Sequence, residues 1–279
     1  MLACAALSAQ AARIGVLSNK NADAVAADFE NRIPSHRFTG VDVGAGPPPL
    51  ATLTSQFDAL LLFEDGSFAQ ATSVGNTVAA FARSGRAVVL GTFYDQDRSD
   101  GSPEFTPHGW GDLESIDPNT TDGVGTAYQP RSLGTVIPHP LTAGVTTLTS
   151  AKLAGGNQPK SGTIVVATWA QKNAKGNADP VAAYRITGQT CVIHIAIAPD
   201  YPIVATAGND FGGDFYRLWR NAFDFASGHC VTGTANLPDT DVFSIPAMSG
   251  PALVLLGALL ALLGGLRVAR ASIPRRTRR

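Results

Sequence analysis

The N-terminal third of the chain alternates between apolar runs and segments in which apolar residues recur at helical spacing. The runs at 13–17, 58–63 and 86–91 are typical of buried strands, and residues 38–43 alternate like a half-exposed strand. Helical spacing marks the segment from residue 22 to residue 33 and a second one after residue 73. Such repeats, with short connections, predict an α/β fold: a flavodoxin-like three-layer sandwich whose mostly parallel sheet has helices on both faces.

The periodic pattern stops between residues 92 and 138, which are polar and rich in glycine and proline. A segment of that length is usually functional or a lid. Strand patterns return at 163–168, 181–186 and 191–198, and a last helical pattern covers residues 215–226. With 44% hydrophobic residues the chain is apolar enough to build a core, so we predict a single α/β domain over residues 12–230.

The C-terminal end has the pattern of a membrane anchor. Residues 245–266 form an uncharged run of 22 residues, and a transmembrane helix needs about 20. A buried core helix is the alternative, but this run is apolar on all sides and six arginines follow it in residues 267–279. We therefore predict a linker at 231–244, a transmembrane helix at 245–266 and an Arg-rich cytoplasmic tail at 267–279. The domain would then lie in the periplasm or at the cell surface, held in the inner membrane before any processing.

Such an orientation requires export, and residues 1–11 carry part of an export signal. The sequence Ala9-Gln10-Ala11 fits the small-x-small pattern of signal-peptide cleavage. The apolar stretch before it is short and contains no basic residue, so a first buried turn of the domain is the alternative. We expect residues 1–11 to be the remnant of a signal peptide, with a true start upstream.

The net charge of −1 hides an uneven distribution. Without the six arginines of the tail, 15 basic residues face 22 acidic ones, which leaves −7 for residues 1–266. An acidic body of this kind argues against nucleic acid as a partner.

The two cysteines that would remain after export, Cys191 and Cys230, form a candidate disulfide. The strand that begins at Cys191 and the last helix should run antiparallel, so the end of the helix lies near the start of the strand. A disulfide between them is sterically allowed and suits an oxidising compartment. Two free thiols are the alternative.

Five segments, taken in order, resemble the class I glutamine amidotransferase-like family, especially its ThuA-like branch. They are FDALLLFEDG (57–66), RAVVLGTF (86–93), PHPLTAGV (138–145), VVATWA (165–170) and FYRLWRNAFDFA (215–226). The resemblance covers most of residues 13–226 and implies an amidotransferase-like sandwich. In that family a nucleophilic cysteine stands in a Gly-x-Cys-x-Gly turn after a strand. Here residues 91–95 read Gly-Thr-Phe-Tyr-Asp, so a thiol mechanism lacks its nucleophile and we do not expect amidotransferase catalysis.

The C-terminal end carries a second resemblance. Ile245, Pro246 and Ser249, then the apolar run and the arginines, resemble the IPTL-type sorting signals of Gram-negative bacteria. These signals are similar to PEP-type tails, which implies an exosortase-like enzyme as a processing partner. Gly250-Pro251 stand where that family usually has an acidic residue or proline followed by tryptophan.

Other catalytic signatures are missing from the sequence. It contains no Gly-x-Ser-x-Gly turn, no dinucleotide-binding glycine motif at a helix start and no P-loop, and its five histidines show no ligand spacing. We therefore expect neither a cofactor nor a metal.

The position of polar residues gives the remaining functional signal, because ligands of open α/β sheets lie beyond the carboxyl ends of the strands. The polar and aromatic residues predicted for this rim are Ser18, Asn19, Glu64, Asp65, Thr92, Tyr94, Trp110, Asp200 and Tyr201. They suit a saccharide or another polar partner, although turns favour the same residue types. Glu64, Asp95 and His108 are the candidate catalytic groups there.

Three functions remain open at this point. The first is an anchored or sorted envelope protein whose non-catalytic domain binds a saccharide or a protein partner. The second is an exported enzyme that acts on a carbohydrate or a small polar substrate through the acids at the rim. The third is a structural module without a ligand.

Overall fold

The computed structural model describes residues 11–63, 69–92, 109–121, 131–150, 157–172, 176–204 and 211–230. All of them belong to the first of two units into which the chain divides, Met1–Leu237. The predicted linker, apolar segment, sorting signal and basic tail lie outside the described residues. Within the described ranges, no helix is long and apolar enough to cross a membrane.

The described residues alternate between strands and helices as far as β4, after which most of the elements are strands. The strands are β1 (Arg13–Ser18), β2 (Arg37–Asp42), β3 (Ala59–Leu62), β4 (Ala87–Gly91), β5 (Asn119–Thr121), β6 (Arg131–Val136), β7 (Leu148–Ser150), β8 (Asn157–Pro159), β9 (Thr163–Lys172), β10 (Ala178–Thr187), β11 (Thr190–Ile195) and β12 (Phe211–Gly213). The helices are α1 (Ala22–Arg32), α2 (Leu50–Gln56), α3 (Ala71–Arg83), α4 (Tyr201–Val204) and α5 (Phe215–Phe225), which a π-helical turn extends over Ala226–Cys230.

Ten of these strands form one sheet, in the order β12-β7-β6-β9-β10-β11-β4-β3-β1-β2. Strands β2, β1, β3, β4 and β11 are parallel to one another, and the pairs from β11 outward to β12 are antiparallel. The sheet is therefore mixed, and the prediction of a mostly parallel sheet was wrong for this half. The reason is visible at Gly188, whose φ of 61° suits a two-residue turn between β10 and β11. A connection that short joins only antiparallel strands.

The alternation of side chains along the parallel strands produces two cores. On one face, Ile14, Val16 and Leu61 pack with α1 and α5. On the other face, Leu60 and Leu62 pack with α2 and α3. Helices thus cover both faces of the parallel half, as predicted.

Helix α3 also packs against the chain at Gly109 and Trp110. Gly75 lies in the middle of this helix, and a Cβ atom there would overlap the carbonyl oxygen of Trp110. The missing side chain therefore allows the backbone of Trp110 to lie directly on the helix. The Thr72 hydroxyl strengthens this contact by donating to the carbonyl of Gly109 at 2.5 Å.

A buried ion pair connects strands of the antiparallel half. Arg131 Nη1 on β6 donates to Asp179 Oδ2 on β10 at 2.8 Å, and the two side chains are 4% and 0% exposed. The same Nη1 donates to the carbonyl of Gln171 on the intervening strand β9 at 3.3 Å. Loss of either residue alone leaves an uncompensated buried charge. Such a loss would therefore destabilise the packing of β6, β9 and β10.

Candidate functional site

The carboxyl ends of β1 and β3 form the topological switch point of the sheet. Strand β1 lies between β2 and β3, so the chain turns to one side after β1 and to the other side to reach β3 and β4. Helix α1, which follows β1, covers one face, and α3, which follows β3, covers the other. α/β sheets of this kind bind ligands in a crevice at this point, between the starts of the two helices.

Polar residues follow β1 directly at this crevice. Ser18 is fully buried, and its hydroxyl accepts from the Lys20 backbone N–H at 3.3 Å and donates to Asn19 Oδ1 at 3.4 Å. Asn21 then adopts φ 61°, which asparagine tolerates better than most residues, and α1 begins. Serine and asparagine side chains thus form the β1 side of the crevice.

The segment after β11 reaches across to these residues. The backbone N–H of Thr92, just past β4, donates to the carbonyl of Ile197 at 3.2 Å. Further along the same segment, Asp200 is 2% exposed, and its Oδ2 accepts from Asn21 Nδ2 at 3.4 Å. The segment after β11 is therefore hydrogen-bonded both to the chain just past β4 and to the turn before α1. The rim prediction did not include Asn21, although an asparagine directly before a helical pattern is a usual helix-start signal.

Thr92 has the most unusual environment at this rim. Its side chain is fully buried, and among the described residues its Oγ1 has no hydrogen-bond partner. The preceding Gly91 faces the α5 side, because a Cβ atom there would lie 3.2 Å from both Phe63 Cβ and the Trp219 ring. By strand alternation Thr92 points toward the α3 side. An unpaired buried hydroxyl is costly, so its persistence needs an explanation.

The two described aromatic residues of the predicted rim are buried. Trp110 is 2% exposed and belongs to the core on the α3 side, and Tyr201 is 1% exposed and belongs to the core on the α5 side. Neither offers an exposed ring on which a ligand could stack. The remaining predicted residues, Glu64, Asp65, Tyr94, Asp95 and His108, lie outside the described residues, as does Phe93 at the position of the family's cysteine.

His194 is a buried, uncharged histidine in the middle of β11. Asn119 Nδ2 donates to its Nδ1 at 2.6 Å, and burial lowers the pKa of the ring to about 4. His139 is also partly buried, which lowers its pKa, and its Nδ1 accepts from the Leu141 N–H at 3.2 Å in a tight turn. In the part of the chain that the structure describes, no three His, Cys, Asp or Glu side chains cluster as metal ligands.

Cys191 and Cys230 form a disulfide, as predicted, with their Cα atoms 5.7 Å apart. Cys191 begins β11, so the bond lies at the amino edge of the parallel strands, opposite the crevice. It ties the end of the α5 segment to a central strand of the sheet. Its role is structural, because it lies at the opposite end of the strands from the rim residues.

No protein-family model matches the chain, and no curated protein matches it. Among solved structures, a Bacteroides uniformis protein described as ThuA-like gives a TM-score of 0.47 at 10% identity, over 80% of this chain and 95% of its own. Agd3, a carbohydrate deacetylase, gives 0.46 at 13% identity, over 78% of this chain and 32% of its own. The chain thus corresponds to about a third of Agd3. Because identities and TM-scores are low, these likenesses assign neither a family nor a function.

Proposed function

We propose that this chain is an exported envelope protein, held in the membrane by residues 245–266, whose α/β domain binds a saccharide in the crevice beyond β1 and β3. The observation that carries the binding site is the buried Thr92 hydroxyl, which has no partner among the described residues. A ligand hydroxyl that reaches this position would supply the missing hydrogen bond. We do not expect amidotransferase catalysis of this domain, since Phe93 follows β4 in the sequence where the amidotransferase-like family has its cysteine.

The chemistry of the crevice supports a neutral polyhydroxyl ligand. Ser18 and Thr92 contribute hydroxyl groups, Asn19 and Asn21 contribute amides, and Asp200 contributes a carboxylate. Hydroxyl and amide groups both donate and accept, which matches the hydroxyl groups of a sugar.

Several features support export and anchoring. The Cys191–Cys230 disulfide suits an oxidising compartment. The cleavage pattern at residues 9–11, the uncharged run at 245–266 and the six arginines after it suit a leader, an anchor and a cytoplasmic end. The partial sorting signal at residues 245–249 adds an exosortase-like enzyme as the expected processing partner.

Saccharide binding is tested on the full chain in detergent by saturation-transfer-difference NMR with maltose, N-acetylglucosamine and galactose. We expect Thr92→Val to lower the affinity for the sugar that binds by about tenfold, which corresponds to the loss of one hydrogen bond. The fold of the variant should be unchanged or more stable. Thr39→Val, on the exposed edge strand β2, is the matched control and should change nothing. Equal affinities of the two variants, or no transfer signal with any of the three sugars, would refute the proposed site.

Export is tested by the intact mass of the protein recovered from the envelope of a Gram-negative host. We expect the loss of residues 1–11 and, where the sorting enzyme is present, of the chain beyond about Ser249. A mass that retains Arg279 in the presence of that enzyme would refute sorting and leave a simple membrane anchor.

A further inference from the structure

A second cleft lies at the amino edge of the parallel strands, away from the crevice. Its volume is about 750 Å³. The residues that line it are Ala11, Ala12, Arg13, Ser35, His36, Asp58, Asp224, Ser227 and Gly228. The beginning of the described chain thus lies in a cleft together with two carboxylates and a histidine.

The register of the sheet fixes where Ala12 stands in this cleft. Arg13 pairs with Arg37 in the parallel ladder of β1 and β2, and the carbonyl of Ala12 accepts from the Arg37 N–H at 2.9 Å. Ala12 therefore lies beside His36 on the neighbouring strand. The His36 ring is in turn 3.0 Å from Asp224, measured from Nε2 to Oδ1. Ala12 thus lines the same cleft as the His36 and Asp224 pair.

The two carboxylates of the cleft differ in how far their charge is compensated. Asp58 accepts from Arg13 Nη2 at 2.8 Å, from its Nε at 3.2 Å and from its backbone N–H at 2.9 Å. Asp224 is 53% exposed, and its second oxygen is 3.9 Å from Arg220 Nε, a long contact on the surface of α5. The carboxylate with capacity for another cation is therefore Asp224.

We infer that cleavage after Ala11 leaves the new α-ammonium group of Ala12 in this cleft, paired with the carboxylate of Asp224. The inference rests on the proposed export. Hydrolysis of the Ala11–Ala12 peptide bond adds the hydroxyl of water to the Ala11 carbonyl carbon and its hydrogen to the Ala12 nitrogen. The amine then takes up a proton, because the ordinary pKa of an α-ammonium is about 8. A neutral amide thus becomes a cation with three donors, and the processed domain gains an ion pair that the uncleaved domain lacks.

The test compares two forms of the full chain, released from a cleavable N-terminal fusion so that one begins at Ala12 and the other at Gln10. Pulse proteolysis in urea measures the unfolding equilibrium of the domain in each form. We expect the ratio of folded to unfolded protein to be about threefold higher for the form that begins at Ala12, which is the contribution of a partly exposed ion pair. Asp224→Asn should abolish the difference between the two forms. Asp112→Asn is the matched control, since Asp112 is 59% exposed and pairs with Arg83, and it should leave the difference intact.

The outcomes separate this inference from the proposed export. No difference between the two termini, or a difference that persists in Asp224→Asn, overturns the pairing even where the native protein begins at Ala12. A native protein whose mass retains residues 1–11 overturns both the processing and the pairing. A protein that begins at Ala12, with a stability gain that depends on Asp224, supports both.

Discussion

Removal of the Cys191–Cys230 disulfide should cost the domain a large part of its stability. The bond joins residues 39 positions apart. In the chain-entropy model, a loop of this length restricts the unfolded state by about 4 kcal/mol at 25 °C. Both cysteines are 1% exposed, so substitution to alanine adds a packing loss of about 1 kcal/mol for the small cavity it leaves.

Reduction separates these two contributions, because it opens the bond and keeps both side chains. We expect the reduced wild-type domain to lose about 4 kcal/mol and the Cys191→Ala variant about 5 kcal/mol. Reduction should have no further effect on that variant. The assay is urea unfolding by pulse proteolysis of the full chain, with and without a phosphine reductant, in a Cys4→Ala background that removes the third thiol.

Two results would refute this reasoning. One is a loss on reduction of less than about 1 kcal/mol, which would mean that the loop is already restricted in the unfolded state. The other is alkylation of both cysteines in the unreduced protein after denaturation, seen as two added groups in the intact mass. Without reductant, the Cys4→Ala protein should unfold at the same urea concentration as the wild type and should take up no alkylating group after denaturation.

Three other predictions follow from the described contacts. Asp179→Leu or Arg131→Met alone should lower the free energy of unfolding of the domain by about 3–5 kcal/mol, measured by urea unfolding. The double variant should recover most of that loss, and an equal loss in the double variant would contradict the prediction. Burial lowers the pKa of His194 from 6.5 to about 4, so the unfolded state binds the proton first as the pH falls. Stability should therefore be full above pH 6.5 and decline by about 3 kcal/mol down to pH 4, and His194→Phe should flatten this part of a calorimetric pH profile. Gly75→Ala should lower the melting temperature although alanine has the better helix propensity, because a backbone carbonyl occupies the place of the new methyl group. Gly228→Ala should not lower it, because no atom lies within 4 Å of the added Cβ.

The parallel half of the fold could be predicted from the sequence because its signals are local. Strands β1, β3 and β4 are buried on both faces and appear as apolar runs, while α1, α3 and α5 repeat apolar residues on one side. Strand β6 gives no such signal. It begins with Arg131, whose buried partner Asp179 is 48 residues away. Without knowledge of that partner, an arginine in a polar stretch is assigned to a loop. Contacts over that distance decide burial, and a single sequence does not contain them.

The sequence suggested a position for the candidate site, but it gave less information about which side chains are exposed there. The rule that ligands lie at strand ends led to Ser18, Thr92 and Asp200, because each directly follows or lies just beyond an apolar run. The roles of Trp110 and Tyr201 were not predictable, since distant helices decide whether an aromatic ring is exposed or part of a core. The missing partner of the Thr92 hydroxyl depends on the surrounding structure and has no counterpart in the sequence.

The disulfide also decides how the domain carries mechanical load. Cys230 is the last described residue, and its partner begins β11, which is hydrogen-bonded to β4 on one side and β10 on the other. A pull on the chain beyond Cys230 is therefore transmitted through a covalent bond into the interior of the sheet. Displacing β11 along its length would shear two ladders of hydrogen bonds at once, whereas a pull through α5 alone would peel that helix away turn by turn. The oxidised domain therefore resists tension applied beyond Cys230, and reduction turns α5 into the part that yields first.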